Sequence, residues 1–536
     1  MVTINRLLIA GIAFGTAMAS SQEHGTAQGQ PKPGRRRGEL VFRSNFEDAR
    51  ERTRWSTAPC AQWISLPERG MCLRTTVAEA GAGEGNMIKL PLDVSRFGDC
   101  WLNFECWAKA DAVSKPAHTY NGVKFMFHHI ASDGPHWQNE NGVHGTFDWR
   151  RLMFSAPIPE NVSEAWLLLG LQESSGTVHF DDIRVTVKHV RPVRPQPKPN
   201  APPPFRGHSL PRLRGAMSPN TFRDEDLRIF GKAWNANLIR WQMTTKWGAD
   251  YKHGLDYDSA KYDAWLKDEL ADLDKVLDAC LRYGILAVVD LHSPPGGRRP
   301  NRDLVILHER KYLESFVAVW RKIARRYKGN QAVWGYDLVN EPVQNKPSPD
   351  GMPDYLGAQV LAAKAIRAID PERPIIIEVD HWDSAEGFKF LEPVEIPNVV
   401  YQVHMYYPHQ FTHQGVHGSP TGVLYPGKIG AHEYDKEALR KHLAPVREFQ
   451  LAYNVHIYVG EFSAIRWAPD NSAFRYLGDC IEIFEEYGWD WSYHAFREWD
   501  GWSVEHNSNP DDHSRTDEPT KRKALLLKWF ARNEKP

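Results

Sequence analysis

The chain of 536 residues has almost no excess of either charge, with 66 Lys and Arg against 67 Asp and Glu. Without a basic surplus, bulk charge gives no case for nucleic acid or an anionic membrane surface as a partner. Cysteine is scarce, six residues in all, and no Cys-x-x-Cys pair or clustered Cys/His spacing marks a zinc site. Cys60, Cys72, Cys100 and Cys106 fall in the first third. Export would permit up to two disulfides among them, with the pairing open. Cys280 and Cys480 sit singly in helical patterns and read as buried thiols. Beyond the N-terminus no apolar run approaches the roughly 18 residues of a membrane span.

Tryptophan, in contrast, is abundant, at 20 residues. Large aromatic cores account for part of it. An indole face also packs well on a sugar or a base, and the near-neutral charge favours sugar. At the N-terminus Arg6 precedes an apolar run over residues 7–14, and Ala17 and Ala19 supply small residues for cleavage. Residues 1–19 are therefore expected to be a signal peptide, and the mature protein to be secreted or periplasmic. Residues 20–37 are polar and end in Arg35, Arg36 and Arg37, as in a disordered lead-in.

Residues 38–190 carry short β-rich segments, several alternating apolar and polar positions, which predicts a two-sheet sandwich. The opening around Phe42, Phe46 and Asp48 and the closing segment from Phe180 to Val187 resemble jelly-roll carbohydrate-binding modules with a galactose-binding-like fold. Many such modules hold a structural calcium, so the resemblance makes Glu47 and Asp182 candidate ligands, with ordinary turn carboxylates as the alternative. Trp107, Trp137, Trp149 and Trp166 are candidate sugar platforms or core residues. Residues 191–206 are dense in proline, which predicts an extended, semi-rigid linker.

Residues 207–536 alternate short apolar strands with amphipathic helical patterns. Strands are expected at residues 213–217, 237–241, 285–292, 333–341, 374–379, 399–406, 456–461 and 489–494. The helical pattern over residues 262–283 ends at Gly284. Eight such alternations predict a (β/α)8 barrel. An open doubly wound sheet is the competing fold, weakened by the lack of a glycine-rich fingerprint after the first strand. The whole chain is thus read as multidomain, an all-β jelly-roll sandwich followed by an α/β barrel.

In such a barrel the strand C-termini converge on one mouth. Those positions hold Arg240, His292, Asn340 with Glu341, His404 with Tyr406, and Glu461. Two carboxylates three strands apart face each other, an arrangement suited to glycoside hydrolysis, where one stays protonated and the other ionised. The runs Leu338, Val339, Asn340, Glu341, Pro342 and Val459, Gly460, Glu461, Phe462 resemble glycoside hydrolase family 5. That resemblance implies Glu341 as acid/base at the end of strand 4 and Glu461 as nucleophile at the end of strand 7. It implies that Asn340 bonds the sugar 2-hydroxyl, that Arg240 orients and charges Glu461, and that Tyr406 sits by the nucleophile and His404 near the acid/base. His292 matches the family's strand-3 histidine. Strand 8 departs from the pattern. His494 stands where the family usually has a tryptophan, with Trp499 or Trp502 reaching in from the next loop to floor the sugar site, and Trp499 is taken as the choice. His381 and Trp382 after strand 5, and the turn-rich residues 293–299, are further candidates to shape the cleft.

The resemblance implies a retaining β-glycosidase acting on β-1,4-glucan, needing no metal in the barrel and no organic cofactor. β-Mannan, xyloglucan and β-1,3-glucan are alternative substrates, and a non-catalytic polysaccharide-binding protein is the alternative of another class. Retention predicts a carboxyl separation of about 5–5.5 Å. The expected partner is a polysaccharide or oligosaccharide, and oligomeric state is left open.

Overall fold

A computed structural model describes residues 35–536, apart from residues 84, 133, 246–257 and 417. The expected signal peptide and nearly all of the lead-in lie outside the described residues. Among those described, no helix is long and apolar enough to cross a membrane.

The first part is a sandwich of two antiparallel sheets. One contains Leu40–Ser44, Ala61–Leu66, Gly70–Val77, Cys100–Val113, Gly145–Ile158 and Gly176–Val190. The other contains Asn86–Pro91, Gly122–Ala131, Gly134–Asn139 and Glu164–Gln172. Alternation along the long strands sends Leu102, Phe104, Cys106 and Ala108 inward, all buried. Phe104 stacks on Phe127 of the facing sheet at 4.7 Å between ring centroids, tying the two layers. All six cysteines are free thiols, so the disulfides that export would have allowed are not formed. Burial pushes the Cys72 thiol up to about 12, with Asp181 adding to the effect. The sandwich is held by its apolar layers instead.

The second part is a closed barrel of eight parallel strands: Arg214–Met217, Leu238–Gln242, Leu286–Asp290, Val333–Asp337, Ile375–Ile377, Val399–Met405, Ile457–Phe462 and Asp490–Tyr493. The first pairs with the last through Gly215 and Ser492, which closes the ring. Helices cover it outside. Ser259–Tyr283 starts with Asp258 accepting from the backbone N–H of Ala260 and stops where Gly284 takes φ +69°.

The fourth barrel strand is shorter than its apolar pattern implies, ending at Asp337 rather than Glu341. Side chains take the backbone groups that a ladder would have used. Trp320 Nε1 donates to Leu338 O at 3.0 Å, and Arg298 Nη2 donates to the carbonyls of Asn340 and Glu341 at 2.9 and 2.8 Å. Glu378 Oε2 accepts the Glu341 N–H. Glu341 itself sits at φ +48°, a conformation costly for a non-glycine residue.

The proline-rich residues 191–206 run against the barrel. Arg194 donates to Phe388 O and lies 5.2 Å from the Phe449 ring centroid. Asn454 donates to Pro202 O at 2.9 Å, and Trp334 Nε1 donates to Arg206 O at 2.9 Å. The sandwich also meets the barrel directly. Lys188 Nζ, buried, pairs with Asp380 Oδ2 at 3.2 Å and donates to Gln344 O at 3.1 Å. Trp101 packs edge-on against His381 at 5.2 Å. Asp380 and Gln344 belong to the loops that follow barrel strands five and four.

Candidate active site

Arg240 is the hub of the mouth. It lies on the second strand with no exposure, and its guanidinium reaches four other strands. Nη1 donates to Glu461 Oε1 at 2.7 Å, Nε to Asp337 Oδ2 at 2.8 Å, and Nη2 to Asn340 Oδ1 and Glu378 Oε1, both at 3.0 Å. Asp290 is a further ion-pair partner at 3.3 Å. Burial works against the charge on Arg240. Asp290, Asp337, Glu378 and Glu461 more than reverse that and hold it firmly protonated.

Glu461 ends the seventh strand, 4% exposed. Tyr406 Oη donates to its Oε2 at 2.9 Å. Burial alone would favour the neutral acid, but His404, His494, Arg240 and His292 outweigh it and drive the Glu461 carboxyl far below the ordinary range. Gly460 beside it is required by close approach: a Cβ there would overlap the Gln402 side chain, which in turn donates to Glu378.

Glu341 is the more open carboxylate, with 20% side-chain exposure, and His404 Nδ1 lies 3.0 Å from its Oε1. Oxygens of Glu341 and Glu461 and a ring nitrogen of His404 all lie within 4.8 Å of one another. His292 Nδ1 bonds Asp290 Oδ2 at 2.8 Å, and the Asn340 amide donates to His292 Nε2 at 3.2 Å. One amide hydrogen of Asn340 is left for a ligand. Arg240, His292, Asn340, Glu341, His404, Tyr406 and Glu461, expected to converge, therefore do.

Trp499 does not join them directly. It is 40% exposed and reaches the ring only through Trp502, which lies 5.6 Å from it and 5.7 Å from His494. His494 takes the inner position, 3.3 Å from Glu461 Oε2. Its Nδ1 bonds Tyr406 Oη, and its Nε2 bonds Glu498 Oε2 at 2.6 Å. Burial would lower the His494 pKa, but Glu498 and Glu461 raise it to about 9. Both ring nitrogens are thus engaged as donors of an imidazolium.

Sequence reasoning missed Asp290, Asp337, Glu378, Asp383 and Glu498. Glu378 and Asp383 are fully buried, and burial with the neighbouring acids pushes both carboxyls far above the usual range. Asp290 lay within the strand pattern but carried no signal of its own, because its ion-pair partner Arg240 is on the neighbouring strand, 50 residues earlier in the sequence. Trp382 packs under Arg298, at 5.1 Å, so it braces the Glu341 loop rather than lying free.

In the sandwich, Glu47 Oε1 accepts the Met71 N–H at 2.8 Å, and Asp182 pairs with Arg69 at 3.4 Å. Those contacts account for both side chains, and a calcium site there is not supported. Of the four indoles singled out, Trp137 is 57% exposed and stacks on His128, which stacks on Trp166. Trp107 and Trp149 hold the Arg69 guanidinium between them, at 4.4 and 4.7 Å.

The model of a family described as Cellulase (glycosyl hydrolase family 5) matches residues 199–500. Among characterised proteins the chain is similar to endoglucanase C of Acetivibrio thermocellus, 30% identical over 256 residues that span 42% of this chain and 73% of the relative. It is also similar to cellodextrinase A of Ruminococcus flavefaciens, 25% identical over 289 residues, or 52% of this chain and 81% of that one. Among solved structures, a hyperthermophilic endo-β-1,4-glucanase in complex with substrate aligns with 59% of this chain and 97% of its own, at 21% identity and a TM-score of 0.45.

Proposed function

The chain belongs to glycosyl hydrolase family 5, the cellulase family, and from that premise we propose that it is an exported, retaining endo-β-1,4-glucanase. The observation that carries the mechanism is the pairing of Glu341 with Glu461, whose oxygens come within 4.8 Å. That fits the short carboxyl separation of a double displacement, about 5–5.5 Å, and not the wider gap that an inverting water needs.

Glu461, kept ionised in the field of Arg240, attacks the anomeric carbon. Glu341 gives its proton to the leaving glycosidic oxygen, and a covalent glycosyl–enzyme forms. Glu341 then takes a proton from water, which attacks the same carbon and frees Glu461. Tyr406 steadies the nucleophile through its hydroxyl. Asn340 offers its amide to the sugar 2-hydroxyl, a contact that strengthens as charge develops at the ring. The two carboxyls supply both the nucleophile and the proton, so no step calls on a metal or an organic cofactor.

The substrate choice rests on the relatives named endoglucanase and cellodextrinase. Export rests on Arg6 and the apolar run after it. A polysaccharide panel with product analysis tests the substrate: internal cleavage of β-1,4-glucan is expected, and exclusive cleavage of mannan, xyloglucan or β-1,3-glucan overturns it. Glu461→Ala tests the mechanism, since unchanged hydrolysis would remove Glu461 from its role. NMR of the first-formed product should show the β-anomer, and an α-anomer would replace retention with inversion.

A further inference from the structure

The outer face of the larger sandwich sheet holds a groove of about 420 Å³, lined by Arg43, Glu105, Trp107, Arg151, Asp182 and Arg184 among others. Its charges are arranged in an unusual way. Arg43 and Arg184 are directly opposite each other on antiparallel strands. Such a pair shares one face, with Cβ atoms only about 4.5–5.5 Å apart, and like charges placed so are destabilising. Among the described residues neither guanidinium has an ion-pair or side-chain hydrogen-bond partner. The carboxylates nearby are taken by other arginines: Glu105 by Arg151 at 3.4 Å, and Asp182 by Arg69 at 3.4 Å. Arg184 also stands directly opposite Glu105 on strand Cys100–Val113, so the groove presents two guanidinium groups outside any ion pair, beside two carboxylates already engaged by Arg151 and Arg69.

Trp107 forms one wall, fixed in place by Arg69 stacked 4.4 Å from its ring. The same sheet face continues along strand Gly176–Val190 from Arg184 through Thr186 to Lys188. Lys188 is already on the rim of the barrel mouth, bonded to Gln344 and Asp380. Four strand steps separate Arg184 from it, roughly 13 Å at about 3.3 Å each. Thr186 and Lys188 are both buried, so the open groove ends between Arg184 and the barrel.

We propose that this groove is a second saccharide site, selective for a carboxylate-bearing (uronic acid) unit whose anion sits between Arg43 and Arg184. Two guanidinium groups match a carboxylate in charge and in fork geometry, and the Trp107 wall gives the sugar ring an apolar edge to rest on. The choice of a saccharide as carrier rests on the glucanase reading; the choice of an anion rests on the arginine pair alone.

The test uses the full chain with Glu461→Gln to stop turnover, titrated calorimetrically with a glucuronate-substituted xylo-oligosaccharide, a neutral oligosaccharide of equal length, and inorganic phosphate. The uronate ligand is expected to bind about tenfold more tightly than the neutral one at low salt, with the preference shrinking as salt rises. Arg43→Gln with Arg184→Gln should abolish the preference, and Arg43→Lys with Arg184→Lys should restore part of it. In an otherwise wild-type chain the same glutamine pair should leave hydrolysis of neutral glucan unchanged, which separates failure of this site from failure of the catalytic assignment. Equal binding of the uronate and neutral ligands overturns the proposal. So does phosphate binding as tightly as the uronate, since the groove would then be a general anion site.

Discussion

Arg240 Nη1 donates to Glu461 Oε1 at 2.7 Å with both side chains buried, and the same guanidinium holds Asp337, Asn340 and Glu378. One cation thus sets the position and the charge of Glu461 together. Arg240→Ala would leave a cluster of buried carboxylates without a counter-charge, at a cost of about 3–5 kcal/mol. Denaturation should show that loss at neutral pH and a smaller one in acid, where the carboxyls take up protons. Arg240→Lys keeps a charge but not the fork, and kcat/KM is expected to fall about a hundredfold or more.

His494 gives the alkaline side of the stability profile its shape. Its folded-state pKa is raised to about 9 from an ordinary value near about 6.5. A raised pKa stabilises fully below the ordinary value, and that contribution is lost as pH climbs through about 9. The melting temperature should therefore decline between neutrality and mildly alkaline pH. In His494→Gln that decline should be flattened, on a lower baseline because Glu498 loses its partner.

The Lys188–Asp380 pair tests whether the sandwich is part of the catalytic body. Removing one member of a buried ion pair costs about 3–5 kcal/mol. Asp380 Oδ1 also accepts the Gln344 N–H at 2.9 Å, three residues beyond Glu341. Lys188→Met is expected to lower both the melting temperature and kcat, and Lys188→Met with Asp380→Asn to regain much of the stability. Full activity in the single variant would show that the Glu341 loop needs no support from the sandwich.

Gly460→Ala places a methyl group against Gln402. Overpacking of this kind costs about 1–3 kcal/mol. Because Gln402 bonds Glu378, and Glu378 bonds both Arg240 and the Glu341 N–H, kcat should fall more than KM rises. Steady-state kinetics on a soluble glucan measure the split.

Much of this site was legible before any fold was known. Glu341, Glu461, Arg240 and His404 each end an apolar run, and strand ends meet at a barrel mouth whatever the loops do. The acids behind them were not legible. Asp337, Glu378 and Asp290 acquire meaning only when closure wraps several strands around one guanidinium, and sequence spacing carries no trace of that. The end of strand four was misplaced for a related reason: Val339 and Leu338 have the apolar character of a strand, but Trp320 and Arg298 claim the backbone carbonyls there. Trp499 shows the limit of aromatic reasoning. A tryptophan near a site and a tryptophan in it look alike until Trp502 is seen between it and His494.

The proline segment has a metrical consequence. A loose tether would let a binding module sample a sphere of positions around its enzyme. Here Arg194, Pro202 and Arg206 are pinned to the barrel, and Lys188 is locked into the rim. The distance from the sandwich face to the Glu341–Glu461 pair is therefore a constant of the molecule. The sandwich surface and the two glutamates keep one spacing, as two marks on a ruler do.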